Sequence, residues 1–193
     1  MNKLFVAALK EETVGLNYFY HIGVGKINAT YNLTKLINKF KPSEVINYGT
    51  AGAIKKGLTG IVECTKFYQR DMDVRSLLDL KLGETPFDNI NEIINSDDGY
   101  LCGSGDSFVN KQIEMKVDLV DMEAYALAKV CKLEGIKFRC FKYISDNADS
   151  DASSDWIENC KKGAELFQIK IKDFSLYDHI YLLEKDVNIY IKT

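Results

Sequence analysis

The chain has 193 residues, 46 % hydrophobic and 27 % charged, with 2 prolines and a formal net charge of -3, which fits a single globular domain and leaves little material for long disordered segments. An acidic balance without a basic stripe argues against nucleic acid as a partner, because strand binding draws on clustered Lys and Arg. No apolar run of about 18 residues occurs, so no membrane role is expected, and the opening "MNKLFVAALKEE" has too short an apolar part for a signal peptide; the expectation is a soluble, cytoplasmic protein.

In chain order, "KLFVAAL" (Lys3 to Leu9) is a continuous apolar run of strand length, as in a strand covered on both faces, and stops at Lys10, Glu11 and Glu12. "YFYHI" is a second β-rich piece leading into "GVGKIN". The stretch "KINATYNLTKLINKF" then spaces Ile27, Tyr31, Leu33 or Thr34, Leu36, Ile37 and Phe40 along one side of an amphipathic helix closed by Pro42. "SEVINYGTAGAI" predicts a short strand through Tyr48 that breaks at Gly49 to Gly52. "GIVECTKFYQRDMDV" alternates as a strand does, and Arg75 to Gly99 reads as a long surface loop. "YLCGSGDSFV" gives a short strand, a glycine turn, and a serine and aspartate placed to cap a helix.

Val117 to Val120 predicts another strand, Ala124, Leu127, Ala128 and Cys131 a helical face stopped by Gly135, and Ile136 to Ile144 the next strand. That strand, helix, strand order implies a right-handed crossover in a parallel sheet. A helix from Ser153 to Phe174 follows, then a tail with strand-like alternation. The domain is therefore drawn as residues 1–174, with 175–193 as a C-terminal tail.

Several apparent signals fail. The five cysteines lack any CxxC pair, so they read as buried thiols and not as a zinc site or disulfide framework. "GVGKIN" begins like a dinucleotide fingerprint, with Glu44 roughly where a ribose-binding acid sits, but Asn28 replaces the third glycine. "DNADSDASSD" lacks the glycine and terminal glutamate of a calcium loop, and His21 and His179 have no ligand-spaced partners. No metal and no cofactor is expected.

Three acids stand out. Open α/β sheets bind ligands outside the carboxyl ends of their parallel strands, and Glu12, Glu123 and Asp146 each follow a predicted strand. Taken singly, each reads as a cap or a first-turn acid favoured by the helix dipole. Together at one edge they suit cleavage at a sugar's anomeric carbon, where an oxocarbenium-like state calls for a base, an acid and a counter-charge.

"FVAALKEE", "GVGKINA", "GTAGAI", "SGDSFV", "VDMEAYALAKVC" and "YISDNAD", in this order, resemble the nucleoside phosphorylase and nucleosidase superfamily, and most closely its 5'-methylthioadenosine/S-adenosylhomocysteine nucleosidases. The likeness covers most of residues 1 to 173. It implies a three-layer α/β/α sandwich around a mixed, partly parallel twisted sheet, and hydrolysis of the N-glycosidic bond of a purine, chiefly adenine, nucleoside. By resemblance, Glu12 activates the attacking water, Asp146 protonates adenine at N7 and Ser145 orients it. Glu123 holds the ribose hydroxyls with Met122 beneath the sugar, Phe108 stacks on the base, and Val109 offers it backbone hydrogen bonds. An acid role for Asp146 needs a dry pocket that favours its protonated form. Asp149 is left as a capping or loop residue.

The chain departs from the family pattern in places. Thr50 stands where serine is usual, Lys142 where arginine is usual near the water site, and Leu9 where a methionine lines the 5' end; Trp156 takes an aromatic lid position. Only ten residues separate Glu12 from Gly23, so a pair of strands is absent and the 5' pocket is altered. The rivals are a phosphate-dependent phosphorylase, for which Arg70 would be the anion ligand, and a nucleoside-binding module without turnover. The resemblance also implies a homodimer that completes the 5' pocket across its interface.

Overall fold

The structure, a computed structural model, describes residues 3–148 and 156–173. Among these residues eight strands form one mixed sheet. The first apolar run is β1 (Lys3–Ala7), and it is apolar throughout because both faces are covered. Leu4 and Val6 pack with helices α1 (Lys26–Phe40) and α2 (Ala124–Leu133), while Phe5 and Ala7 pack with α3 (Trp156–Asp173). The layers are thus two helices, the sheet, and a third helix, the expected α/β/α arrangement.

Helix α1 buries Ala29, Leu33, Leu36 and Ile37. Ile27 and Tyr31, expected on the same face, are 82 % and 60 % exposed, because each stands two residues, roughly 200° around the helix, from the buried Ala29 and Leu33 and so faces away from the sheet. Lys41, in the left-handed region at φ 47°, ends the helix through its N–H on the Ile37 carbonyl. Helix α2 ends at Gly135, φ 68°, with the Ile136 N–H donating to the Cys131 carbonyl and Gly135 N–H to that of Lys132. This is the Schellman closure that a glycine past the last turn allows.

Strand β3 (Glu44–Ala53) runs without stopping at its glycines, contrary to the expected break at Gly49. It pairs with β1 (parallel) over its first half and with β8 (Lys137–Asp146, parallel) along its length, with a register shift only at Ala51/Gly52. Strand β4 (Ile61–Gln69) flanks β8 antiparallel and β6 (Tyr100–Ser104) parallel. The long loop contains a short strand, β5 (Glu92–Ile94), antiparallel to β4. The edge strand β2 (Tyr20–His21) lies parallel to β1.

Strand β7 (Leu119–Asp121) corrects the crossover expectation. It is antiparallel to β3 at Gly52 and Ala53, whereas β8 is parallel to β3, so β7 and β8 run in opposite directions and are not paired in register with each other. Pairing β3 to β8, β8 to β4, β4 to β6, β6 to β7 and β7 back to β3 closes the strands into a ring. Beneath α3 the opposite face is aromatic: Tyr48 and Phe167 stack at 4.3 Å, with Phe5, Phe19 and Phe141 around them. Full burial of a side chain such as Phe167 contributes about 1.5–3 kcal/mol.

Candidate active site

A cavity of about 350 Å³ opens at the carboxyl end of β3, within the size range of small-molecule sites. Its wall includes Leu9, Glu12, Thr50, Phe108, Met122, Glu123, Ser145 and Asp146. These are eight of the eleven residues singled out from the sequence. Two of the other three sit elsewhere, and the third is not described. Val109 is buried against Val117, Val120 and Ala148, Lys142 lies beneath the wall, and the Trp156 side chain, like Asp149 and His179, falls outside the described residues.

The three acids do converge, but not for the reason the parallel-sheet rule supplies. Glu12 and Asp146 come from β1 and β8, which point the same way; Glu123 follows β7, which points back. It reaches the same cavity because β7 pairs only with the last residues of β3, at Gly52 and Ala53.

Glu12 sits on the 3-10 turn Lys10–Thr13 and is 5 % exposed. Its Oε1 accepts hydrogen bonds from the Thr50 N–H (2.8 Å) and hydroxyl (2.9 Å), and its Oε2 from the Leu9 N–H (3.1 Å). A carboxylate fixed by three donors has its remaining lone pairs aimed, which suits a base. The glycines of β3 make room for it. A Cβ at Gly49 would stand 3.1 Å from Glu12 Oε1 and 3.3 Å from Lys142 Nζ, and one at Gly52 only 2.7 Å from Asp146 Oδ1. The "GTAG" stretch is therefore a smooth strand stripped of side chains where carboxylates must approach its backbone.

Asp146 ends β8. Its Oδ1 accepts from the Ala148 N–H (2.8 Å) and its Oδ2 from the Ser145 hydroxyl (2.7 Å). Ser145 Oγ also lies 3.4 Å from the Ala51 carbonyl. When Asp146 carries a proton, the hydroxyl can rotate, donate to Ala51 and accept from the acid.

Glu123 is 7 % exposed, and its Oε1 accepts the Gly25 N–H at 2.9 Å. Burial first, then the neighbouring Asp121 carboxylate, push its carboxyl up to about 8, against the opposing pull of Lys142 and Gly25. Sequence reasoning missed Asp121 and Ser104. Asp121 Oδ1 accepts from Ser104 Oγ (2.5 Å) and Oδ2 from Lys142 Nζ (2.8 Å). The signal for Asp121 was an aspartate three residues before the first helical alanine, an ordinary capping spacing.

Phe108 overhangs the mouth, 54 % exposed. Its loop is tied down by Arg70, which donates to the carbonyls of Gly105 and Ser107, and by Asp106, which accepts the Lys26 N–H at 2.7 Å. Arg70 therefore holds the loop and does not line the cavity, and no Lys or Arg lines it among the described residues. Glu44, the decoy ribose acid, lies at the far end of β3, in salt bridges with Lys3 (3.8 Å) and Lys137 (3.1 Å). His21 binds the Thr13 hydroxyl (2.8 Å), and burial is the first cause lowering its proton affinity. All five cysteines are buried and free.

Residues 101–175 match the family model described as "Phosphorylase superfamily". A curated 5'-methylthioadenosine/S-adenosylhomocysteine nucleosidase from an Exiguobacterium species is 34 % identical over 68 % of this chain and 67 % of its own length. One from Haemophilus influenzae is 33 % identical over 68 % of each. Among solved structures, a Helicobacter pylori MTAN mutant with 5'-methylthioadenosine in the active site superposes with a TM-score of 0.78 at 21 % identity, over 89 % of this chain and 98 % of that one. A futalosine hydrolase from the same organism gives the same figures. At that identity the likeness is one of fold.

Proposed function

The chain belongs to the 5'-methylthioadenosine/S-adenosylhomocysteine nucleosidases of the phosphorylase superfamily, and from that premise we propose how its cavity hydrolyses the N-glycosidic bond of an adenine nucleoside. The observation that carries the reading is the meeting of Glu12, Glu123 and Asp146 around one hollow of about 350 Å³. Glu12, with its oxygens fixed by Thr50 and Leu9, takes a proton from water as it attacks the anomeric carbon. Asp146, relayed to Ala51 through Ser145, gives a proton to N7 so that adenine leaves neutral. Glu123 binds the ribose hydroxyls over Met122, and Phe108 stacks on the base. Leu9 faces the 5' substituent.

Water is favoured over phosphate as the nucleophile. An anion at the attacking position would face the Glu12 carboxylate with no cationic side chain in the described wall, and phosphate sites rely on arginine or backbone amides. The test is adenine release from 5'-methylthioadenosine and S-adenosylhomocysteine, followed by chromatography with and without phosphate. Equal rates are expected, and strict phosphate dependence overturns the hydrolytic reading. Asp146→Asn should lower kcat by about 10²–10⁴-fold, the usual contribution of a general acid, while substrate still binds by calorimetry.

The working unit is read as a homodimer in the cytoplasm. Apolar side chains stand unburied on the first turn of α1 and the end of α2, with Ile27 82 % and Leu133 66 % exposed, and on the long loop, with Leu77 80 % and Phe87 101 % exposed. Such surface is what a second copy would cover. Five buried free thiols suit a reducing compartment. Among the described residues no helix is long and apolar enough to cross a membrane.

A further inference from the structure

Beneath the cavity wall lies a pair of opposite charges that touches no part of the cavity surface. Lys142 and Asp121 are 1 % and 6 % exposed, and their charged atoms are 2.8 Å apart. Removing two ions from water costs several kcal/mol each, so a buried pair is weak evidence of a contribution to stability. Its geometry shows another use.

Glu123 is the residue that opens α2, with its carbonyl accepting the Leu127 N–H, yet its side chain makes no capping hydrogen bond. Helix starts carry free N–H groups that an N-cap carboxylate normally takes. Here the Ala124 N–H donates to Asp121 Oδ2 (2.9 Å) and the Tyr125 N–H to Ser104 Oγ (2.8 Å), whose own hydroxyl donates to Asp121 Oδ1. With those donors satisfied from behind, the Glu123 carboxylate is free to cross to Gly25 and the cavity.

We infer that Asp121 is a positioning residue for the glycosidic chemistry: held by Lys142 and Ser104, it caps α2 in place of Glu123 and so frees the Glu123 carboxylate for the ribose. Lys142 then acts through Asp121 and not on water or substrate. The inference rests on the reading of the cavity given above.

The charged groups acting on Glu123 are Asp121 from β7, Lys142 from β8 and Glu12 from the 3-10 turn. Asp121 and Glu12 raise its proton affinity and Lys142 lowers it. Lys142→Met should therefore move the Glu123 titration to higher pH, Asp121→Asn should move it to lower pH, and the double variant should return it towards wild type. Carbon-13 NMR of labelled glutamate, assigned with Glu123→Gln, reads this without turnover.

In activity, each single variant should lose at least about tenfold in kcat with KM within about threefold, as expected when a reacting group is misplaced. The double variant, with no uncompensated charge, should recover at least about threefold over the worse single. A double variant no better than Lys142→Met would mean that the lysine touches water or substrate directly, and an unmoved Glu123 titration would make the pair merely structural. Either overturns the proposal. If a single variant fails to fold, Ser104→Ala keeps both charges; wild-type kcat in that variant overturns the proposal as well, and a fall of at least about threefold supports it. A wild-type enzyme that releases no adenine would sink the cavity reading alone, because the titration still tests the pair.

Discussion

A methyl group added at Gly52 would stand 2.7 Å from Asp146 Oδ1 and 3.0 Å from the Ala148 Cβ. Asp146 is the side chain that must yield, and a displacement near 1 Å of a reacting group can lower turnover by about 10²-fold. Gly52→Ala is expected to do this with little change in fold, checked by adenine release beside a circular dichroism spectrum; near wild-type kcat would detach the glycine from the acid. Glu12, Glu123 and Asp146 were legible as residues because each ends an apolar run. Asp121 was not, since it looks like any cap, and a lysine inside "FRCFKYI" announces a partner without saying which one. The glycines misled in the other direction. Read alone they are turn formers, and only the carboxylates arriving from other elements explain them as gaps in a straight strand.

Between elements, α1 shows what periodicity can and cannot tell. The helix was legible from end to end, but its buried face was drawn too wide, taking in Ile27 and Tyr31 from the side opposite Ala29 and Leu33. Leu33, fully buried between the sheet and α2, should lose about 2–5 kcal/mol of stability on change to Ala. The same change at Ile27, 82 % exposed, should stay within about 0.5 kcal/mol in the monomer. Urea midpoints at unchanged m-value separate the two, and equal losses would mean that the face is wrongly drawn. The direction of β7 was not legible at all. A strand, helix, strand string carries no mark of which older strand each new one will join, and here β3 takes β7 on one side and β8 on the other.

For the molecule as a whole, pH couples the site to stability. Glu123 has a folded value of about 8 against an ordinary 4.5. As pH rises between those values the unfolded chain gives up its proton while the native one keeps it, so stability falls across that window and levels off above it. Asp121 is held below its ordinary value, since Lys142, Ser104 and the Ala124 amide outweigh burial. Its stabilisation is present above that ordinary value and is lost only as pH falls further. Glu123→Gln, which cannot ionise, should flatten the decline and melt above wild type near pH 9 while losing activity, a trade between stability and function. A wild-type melting temperature that does not fall between pH 5 and 8 would count against this.

The position of β8 in the ring has a consequence for synthesis. Its partners β3 and β4 are made 93 and 76 residues earlier at the Glu44–Lys137 and Cys64–Cys140 pairings, and it fills the gap between them. Until residues near 146 have left the ribosome, both older strands present open edges, the kind that invites pairing with other chains. Contacts so distant along the chain also form slowly. A nascent or prematurely terminated chain lacks both its proton donor and the strand that seals its sheet, so inactivity and a tendency to aggregate should appear together and disappear with the same last stretch of translation.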